Sequence, residues 1–213
     1  MSDILSKLET LYNKYYLSSL IKDDDAADRM SIEEDDDDGN INCNDNGKES
    51  STDTNLKNSI PLEQGIIFHK EGTPDSRKKA WECFKYHADI LKNPLAKYWK
   101  ANYLYNGYVD VEKNVKEAKK LFKEAADNDI GEAQLFYARL LKNDNPSVAQ
   151  GCVEYFEMAS MNGVPAAMYY LGDIYYDGKY NTEKDRDKAI SYFRKAAENG
   201  HAEAKNRLRS LGL

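Results

Sequence analysis

The sequence predicts an all-α fold in which pairs of antiparallel helices stack into a solenoid, and two observations support this. First, an apolar pattern with offsets of 0, 3, 4, 7 and 8 occurs three times, starting at Ala118, Cys152 and Ala189. These offsets place the side chains on one face of an α-helix. Second, the copies start 34 and then 37 residues apart, and a period of about 20–50 residues is typical of units that bury their apolar faces by stacking on neighbours.

The apolar residues of the segment 1–21 also fall at helical spacing, which predicts an amphipathic helix. They are Ile4, Leu5, Leu8, Leu11, Tyr12, Tyr15 and Leu20. The helix is either the first helix of a leading repeat or a separate cap or partner-binding helix. We favour docking onto the solenoid, because an isolated helix of about 20 residues is marginal in water.

The next segment, residues 22–58, is predicted to be a disordered acidic linker or insertion. Residues 22–60 contain thirteen Asp or Glu and four Lys or Arg, a net charge of −9, and almost no large apolar side chains. Such a composition buries too little apolar surface to offset the entropy cost of ordering. Residues 61–213 are close to neutral at +2, and this disfavours direct binding of nucleic acid.

Two motifs in the acidic segment resemble sites of modification or metal binding. Ser31 is followed by carboxylates from Glu33 to Asp38, and this pattern suits an acidophilic kinase. A phosphate would add about −1.5 to −2 charges; the alternative is a solvated charge run. Asn42 to Asp53 resembles a calcium loop, but the first position lacks a carboxylate and the last lacks glutamate, so no metal site is predicted.

The remaining chain divides into a degenerate leading repeat (59–92), three repeats (93–130, 131–164 and 165–201) and a C-terminal capping helix (202–213). Each repeat comprises a helix A and a helix B. The helix A residues Pro94, Ala96, Ala101, Leu104 and Gly107 align without gaps with Pro165, Ala167, Gly172, Tyr175 and Gly178. Gly107 and Gly178 stand where a helix takes a left-handed stop. Glycine or alanine at 101, 138 and 172 lets two helices approach closely.

The segment 165–204, PAAMYYLGDIYYDGKYNTEKDRDKAISYFRKAAENGHAEA, resembles the Sel1-like repeat (SLR) family, which is related to tetratricopeptide (TPR) repeats. The first repeat departs from the pattern with Ala101 and Asp129 in place of glycines, and the second has Asp144 in place of the turn glycine. The resemblance implies a right-handed α-solenoid, and a scaffold or adaptor that holds other proteins.

Chemistry-bearing residues are sparse in the repeats, so we expect no enzyme, cofactor or metal site. His69, His87 and His201 are far apart in sequence, and a packed or solvated histidine is the simpler interpretation of each. Cys83 and Cys152 lie on helix B stripes, where a free cysteine acts as a small apolar side chain. The sequence contains no nucleophile elbow, glycine-rich phosphate loop or Cys-x-x-Cys pair.

Composition also sets expectations for location. The sequence has no apolar run of about 18 residues, and so predicts no membrane span. It begins Met-Ser-Asp without an apolar leader. Three cysteines, at 43, 83 and 152, do not form regular pairs. We therefore expect a cytoplasmic or nuclear protein with reduced thiols.

A partner-binding groove is predicted on the helix A surface opposite the packing stripe. Its residues are Tyr98, Asn102, Tyr105, Leu135, Arg139, Lys142, Tyr169, Asp173 and Tyr176. Tyrosine and arginine are enriched at interface hot spots. The alternative is that Tyr98 and Tyr169 only fill gaps between adjacent helices.

Three classes of function follow from these features. We favour a non-catalytic adaptor that binds a peptide or a domain of a protein partner in this groove, with no small-molecule substrate. The second class is an acidic, chaperone-like binder of basic client proteins, which would use residues 22–60 and weaken with salt. The third is an enzyme with an unrecognised site.

Overall fold

The structure is a computed structural model that describes residues 60–108, 111–143 and 149–213. Five predictions fall outside these ranges. They concern the helix over 1–21, the disorder of the acidic segment, phosphorylation of Ser31, the absence of a metal site over 42–53 and the second turn around Asp144.

The part of the chain that the structure describes is helical, without a strand, which confirms the predicted all-α fold. Its helices are α1 (Leu62–Glu71), α2 (Pro74–Asp89), α3 (Pro94–Asn106), α4 (Val115–Ala126), α5 (Gly131–Lys142), α6 (Cys152–Met161), α7 (Pro165–Asp177), α8 (Arg186–Glu198) and α9 (Ala202–Ser210). Each helix packs against the next one along the chain. Helices α3, α5 and α7 are the A helices of the three repeats, and α4, α6 and α8 are the B helices.

The starts of several helices follow from short polar side chains. The side chains of Thr73, Asn93, Asn114 and Asp185 each accept a hydrogen bond from the backbone N–H three residues later. Such caps satisfy donors that the first helical turn leaves unpaired. They fix where each helix begins and so set the register of the apolar stripe.

The turns from helix A to helix B have the same construction in the first and third repeats. Gly107 ends α3 with φ of 67°, and Gly178 ends α7 with φ of 71°, as predicted for left-handed caps. Each turn is then closed by one backbone bond. Asn114 N donates to Leu104 O at 2.8 Å, and Asp185 N donates to Tyr175 O at 2.9 Å.

The loops between repeats are also alike. Asp129, Gly163 and Gly200 have positive φ values of 64°, 80° and 93°. The following residue in each loop donates its N–H back to the last turns of helix B, and Val164 N to Ala159 O at 3.0 Å is an example. Asp129 therefore adopts the conformation that glycine provides in the other two copies.

The core extends along the solenoid between the A and B helices. Phe122, Phe156 and Phe193, one from each predicted helix B stripe, are all 0% exposed. Ala101 and Ala138, at two of the predicted small positions, are also fully buried. The stripes deduced from spacing are therefore the faces that pack.

Candidate protein-interaction surface

The nine residues predicted to line the groove divide into a buried group and a partly exposed group. Tyr98, Asn102, Leu135 and Arg139 are buried, each with no more than 8% of its surface exposed. The partly exposed group, which we call the helix A face, comprises Tyr105, Lys142, Tyr169, Asp173 and Tyr176. Only this second group presents substantial surface to a partner in this structure.

Tyr98 lies inside an aromatic cluster between two repeats. Its ring centroid is 5.2 Å from that of Trp99, and 6.0 Å from those of Phe122 and Phe136. Since Phe136 belongs to the A helix of the next repeat, Tyr98 joins neighbouring repeats. Its contacts match the gap-filling alternative rather than an exposed groove position.

In the third repeat the structure brings all three predicted residues together beside α9. The Nε of Arg207, on α9, lies 3.8 Å from Asp173 Oδ1, and the guanidinium of Arg207 lies 4.9 Å from the Tyr176 ring centroid. The Tyr169 ring stacks on His201 at 4.8 Å between centroids. These side chains form a continuous polar and aromatic surface at this end of the solenoid.

Burial controls the ionisation of this cluster. Burial raises the pKa of Asp173 above its ordinary value, while Arg207 and the donating hydroxyl of Tyr169 oppose the increase. Burial also raises the pKa of Tyr169 to about 12, and Asp173 contributes to that rise. Tyr169 therefore keeps its proton at neutral pH and donates it in a hydrogen bond to the Asp173 carboxylate.

Lys142 links the second repeat to this surface. Its ammonium lies 4.6 Å from the ring centroid of Tyr170, on α7, which is a favourable cation–π distance. Burial lowers the pKa of Lys142, and the charges of Arg139 and Lys179 lower it further. The site therefore holds cations close enough together to repel each other.

Residues from other elements complete the surface, and the helix A pattern did not indicate them. Arg186 begins α8, and its Nη2 donates to the Tyr176 hydroxyl at 3.3 Å. Arg207 comes from α9 and Lys179 from the turn after α7. Their separation from α7 in sequence explains why a stripe on one helix could not identify them, although the basic composition of α9 was visible.

The histidines have packing and capping roles. His69 Nδ1 and the Tyr103 hydroxyl are 3.0 Å apart in the core, and His87 Nε2 is 2.9 Å from the carbonyl oxygen of Ile60. His201 precedes α9, and its Nδ1 accepts the N–H of Ala204 at 3.2 Å. These positions agree with the interpretation of packed histidines.

Cys83 and Cys152 are buried free thiols on helix B faces. Burial raises the pKa of each thiol to about 11, so both are in the unreactive thiol form at neutral pH. Within residues 60–108, 111–143 and 149–213, no three His, Cys, Asp or Glu side chains lie together as metal ligands. None of the helices described there is long and apolar enough to cross a bilayer.

The fold defines the class of this protein as a helical-repeat solenoid. A family model of the Sel1 repeat matches residues 94–130, 131–164 and 165–201, and the chain belongs to the Sel1 repeat family. This confirms the resemblance that the sequence motifs indicated. Sel1 repeats are typically non-catalytic modules for protein interaction.

Two curated relatives share part of the chain. The protein is 33% identical over 94 residues to the DAP3-binding cell death enhancer 1 of Rattus norvegicus, and 32% identical over 94 residues to that of Mus musculus. In both cases the match covers 44% of this chain and 18% of the relative. The chain thus spans less than a fifth of the length of these relatives.

Solved structures share the fold. One is a protective antigen of uropathogenic Escherichia coli strains that displays an SLR fold, with a TM-score of 0.61, 22% identity and coverage of 70% of this chain and 32% of that chain. Another is a Sel1 repeat protein from Oxalobacter formigenes, with a TM-score of 0.57, 24% identity and coverage of 67% and 58%. These similarities support the predicted solenoid.

Proposed function

We propose that this protein is a non-catalytic adaptor that binds a protein partner on the helix A face and helps to assemble or regulate a complex. The observation that carries the proposal is the continuous surface formed by Tyr169, Asp173 and Tyr176 with Arg207. It combines aromatic rings, a carboxylate and a guanidinium on rigid helices. Tyrosine has only two side-chain torsions and loses little entropy when it binds, and both tyrosine and arginine are enriched at interface hot spots.

The distribution of exposed tyrosines supports this location. Tyr105 and Tyr176, at equivalent positions in the first and third repeats, are partly exposed while most of each ring is packed. A tyrosine of this kind presents an apolar edge and a hydroxyl together, which suits recognition of a peptide or of a protein surface. The spacing of the repeats would let one extended partner contact several of them.

The curated relatives support the class of partner. Their name states that they bind a protein, DAP3. We carry over to this chain only the class of ligand, a protein, because the match covers 44% of this chain and 18% of the relative.

The proposal is tested by affinity capture with the full chain from its source cells, followed by mass spectrometry. The groove variant carries Tyr105→Ala, Lys142→Ala and Tyr176→Ala. A matched control carries Lys116→Ala, Lys120→Ala and Arg194→Ala, three exposed positions on the B helices. Circular dichroism and thermal melting of both variants check that they fold.

The expected result is a discrete partner that the wild type and the control variant retain and that the folded groove variant loses. Equal retention by all three proteins would contradict a helix A binding site. A set of many basic proteins, lost in high salt or on deletion of residues 22–58, would instead support the acidic, chaperone-like function.

A further inference from the structure

A surface with excess positive charge runs along the second and third repeats. We call it the basic patch, and it comprises Lys142, Lys179, Arg186 and Arg207, all of which are at least partly exposed. Arg139 and Lys179 are near enough to Lys142 to lower its pKa. Lys142 in turn lies beside Asp173, the residue that contacts Arg207.

At the other end of the patch, two guanidinium groups flank one tyrosine. Arg207 and Arg186 lie 4.9 Å and 5.3 Å from the Tyr176 ring centroid. The arrangement holds both arginines at the surface, with the forked donors that bind carboxylates in pairs.

The patch contains fewer acids than bases. Asp177 is paired with Lys179 at 2.6 Å, and Asp173 lies 3.8 Å from Arg207 Nε, too far for a hydrogen bond. Arg207 Nε is buried and has no hydrogen-bond partner among the described residues. Two carboxylates against the four cations Lys142, Lys179, Arg186 and Arg207 leave a net charge of +2, so the patch attracts anions.

The same chain contains an anionic segment within reach. Residues 33–38 are six consecutive carboxylates, and 21 residues, 39–59, join them to Ile60 before α1. A linker of that length extends to at most about 70 Å and spans about 25 Å on average. Packed helices are about 8–10 Å apart, so six steps from α1 to α7 cover at most about 60 Å.

We propose that the acidic segment 33–38 docks on the basic patch of its own chain. Tethering favours this occupant over a separate acidic protein, because joining two groups in one chain through a connection of this length gives an effective concentration of about millimolar. The docked segment would cover Lys142, Tyr176 and Arg207, and would compete with a partner for the helix A face. The competition rests on the proposed function, whereas the docking does not.

The docking is tested by carbodiimide cross-linking of the full chain, which joins carboxylates to lysine amines in direct contact. Lys179, with 54% of its side chain exposed, and Lys142 report on the basic patch. Lys116 and Lys120, exposed on α4, are the matched lysines outside it. A mixture of unlabelled and 15N-labelled chains distinguishes links within one chain from links between two.

The expected result is that residues 33–38 link to Lys179 or Lys142 within one chain, and that few links reach Lys116 or Lys120. These links should be lost at about 0.5 M salt, where the Debye length is about 4 Å. They should also weaken when Arg186→Ala and Arg207→Ala remove two cations from the patch, since both reporting lysines remain. A variant with Glu33→Gln, Glu34→Gln and Asp→Asn at 35–38 cannot be cross-linked at these positions and is used only for partner capture. The proposal would be overturned if the links were spread evenly over all four lysines, if they joined labelled to unlabelled chains, or if no links formed.

Partner capture then separates this inference from the proposed function. If both hold, the variant with neutral residues 33–38 captures more partner than the wild type. If the cross-links are absent while the groove variant still loses its partner, the docking is wrong and the adaptor function stands. If the cross-links are present while the groove variant keeps its partner, the docking stands and the proposed binding face is wrong.

Discussion

Gly172 and Phe193 are in direct contact where α7 crosses α8. A Cβ atom on Gly172 would lie 2.9 Å from Cζ of Phe193, and nearer still to Cδ1 and Cε1 of the same ring. Phe193 is fully buried, so its ring has little space in which to move. The third repeat therefore depends on the missing side chain at position 172, while Ala101 and Ala138 occupy the equivalent positions in the other repeats.

In Gly172→Ala the new methyl group forces the buried ring out of its position, which should cost about 1–3 kcal/mol. The better helix propensity of alanine, worth about 1 kcal/mol, offsets part of this cost, so we expect a net loss of stability of up to about 2 kcal/mol. Urea denaturation followed by circular dichroism measures the difference.

The double variant Gly172→Ala with Phe193→Leu is the control for this mechanism. The smaller leucine leaves room for the methyl group, so the two changes together should cost less than the sum of the single changes. A Gly172→Ala protein as stable as the wild type would show that the ring adapts freely.

The two glycine caps should differ in how they tolerate alanine. Both have positive φ, which costs an L-residue about 1–2 kcal/mol. At Gly107 an added Cβ has its nearest neighbour at 3.5 Å, whereas at Gly178 it would lie 2.7 Å from Lys184 Cγ and 3.3 Å from the backbone at Thr182 O. Gly178→Ala should therefore lower the free energy of unfolding more than Gly107→Ala does. Equal losses would indicate that only the backbone conformation matters.

The sequence was sufficient for features that depend on local spacing. The helix B stripes identified Phe122, Phe156 and Phe193 as core residues, because residues at offsets of 3 and 4 share one helix face whatever the tertiary context. The left-handed caps at Gly107 and Gly178 were also predictable, because glycine is the residue that most easily takes positive φ at the end of a helix.

The candidate surface was less predictable, because it depends on contacts between elements. Tyr98 lies opposite the packing stripe of α3, but it is buried because Phe136 of the next repeat lies 6.0 Å from it between ring centroids. Arg186 and Arg207 reach Tyr176 from two other helices. No periodicity within a single helix contains that information.

Asp173 should give stability a distinct dependence on pH. Burial raises the pKa of Asp173 above its ordinary value of 3.8. Between pH 3.8 and the pKa of Asp173 in the folded protein, the folded protein therefore binds more protons than the unfolded chain. This group therefore makes the free energy of unfolding fall as pH rises from about 3.8 through the folded pKa. In Asp173→Asn that contribution is absent, and the wild type should lose stability relative to the variant across this window.

The difference between the two proteins isolates Asp173 from other acids. Lys97 and Lys123, through hydrogen bonds, lower the pKa values of Glu124 and Asp127, which therefore change stability with pH in the opposite direction in both proteins. Asp187→Asn, at an exposed position of α8, is the matched control. Parallel curves for the wild type and Asp173→Asn would contradict the assignment.

Alanine substitution of two tyrosines should separate the structural part of the predicted groove from its binding part. Tyr98 is 4% exposed within an aromatic cluster, so Tyr98→Ala should cost about 3–5 kcal/mol of stability. Tyr176 is partly exposed between two arginines, so Tyr176→Ala should cost less stability than Tyr98→Ala does. If the proposed function holds, Tyr176→Ala should also weaken partner binding by at least about 1–2 kcal/mol. Denaturation measures the stability of each variant, and titration calorimetry with the captured partner measures the affinity. A Tyr98→Ala protein as stable as the wild type would contradict this division, and so would an unchanged affinity of Tyr176→Ala for the partner.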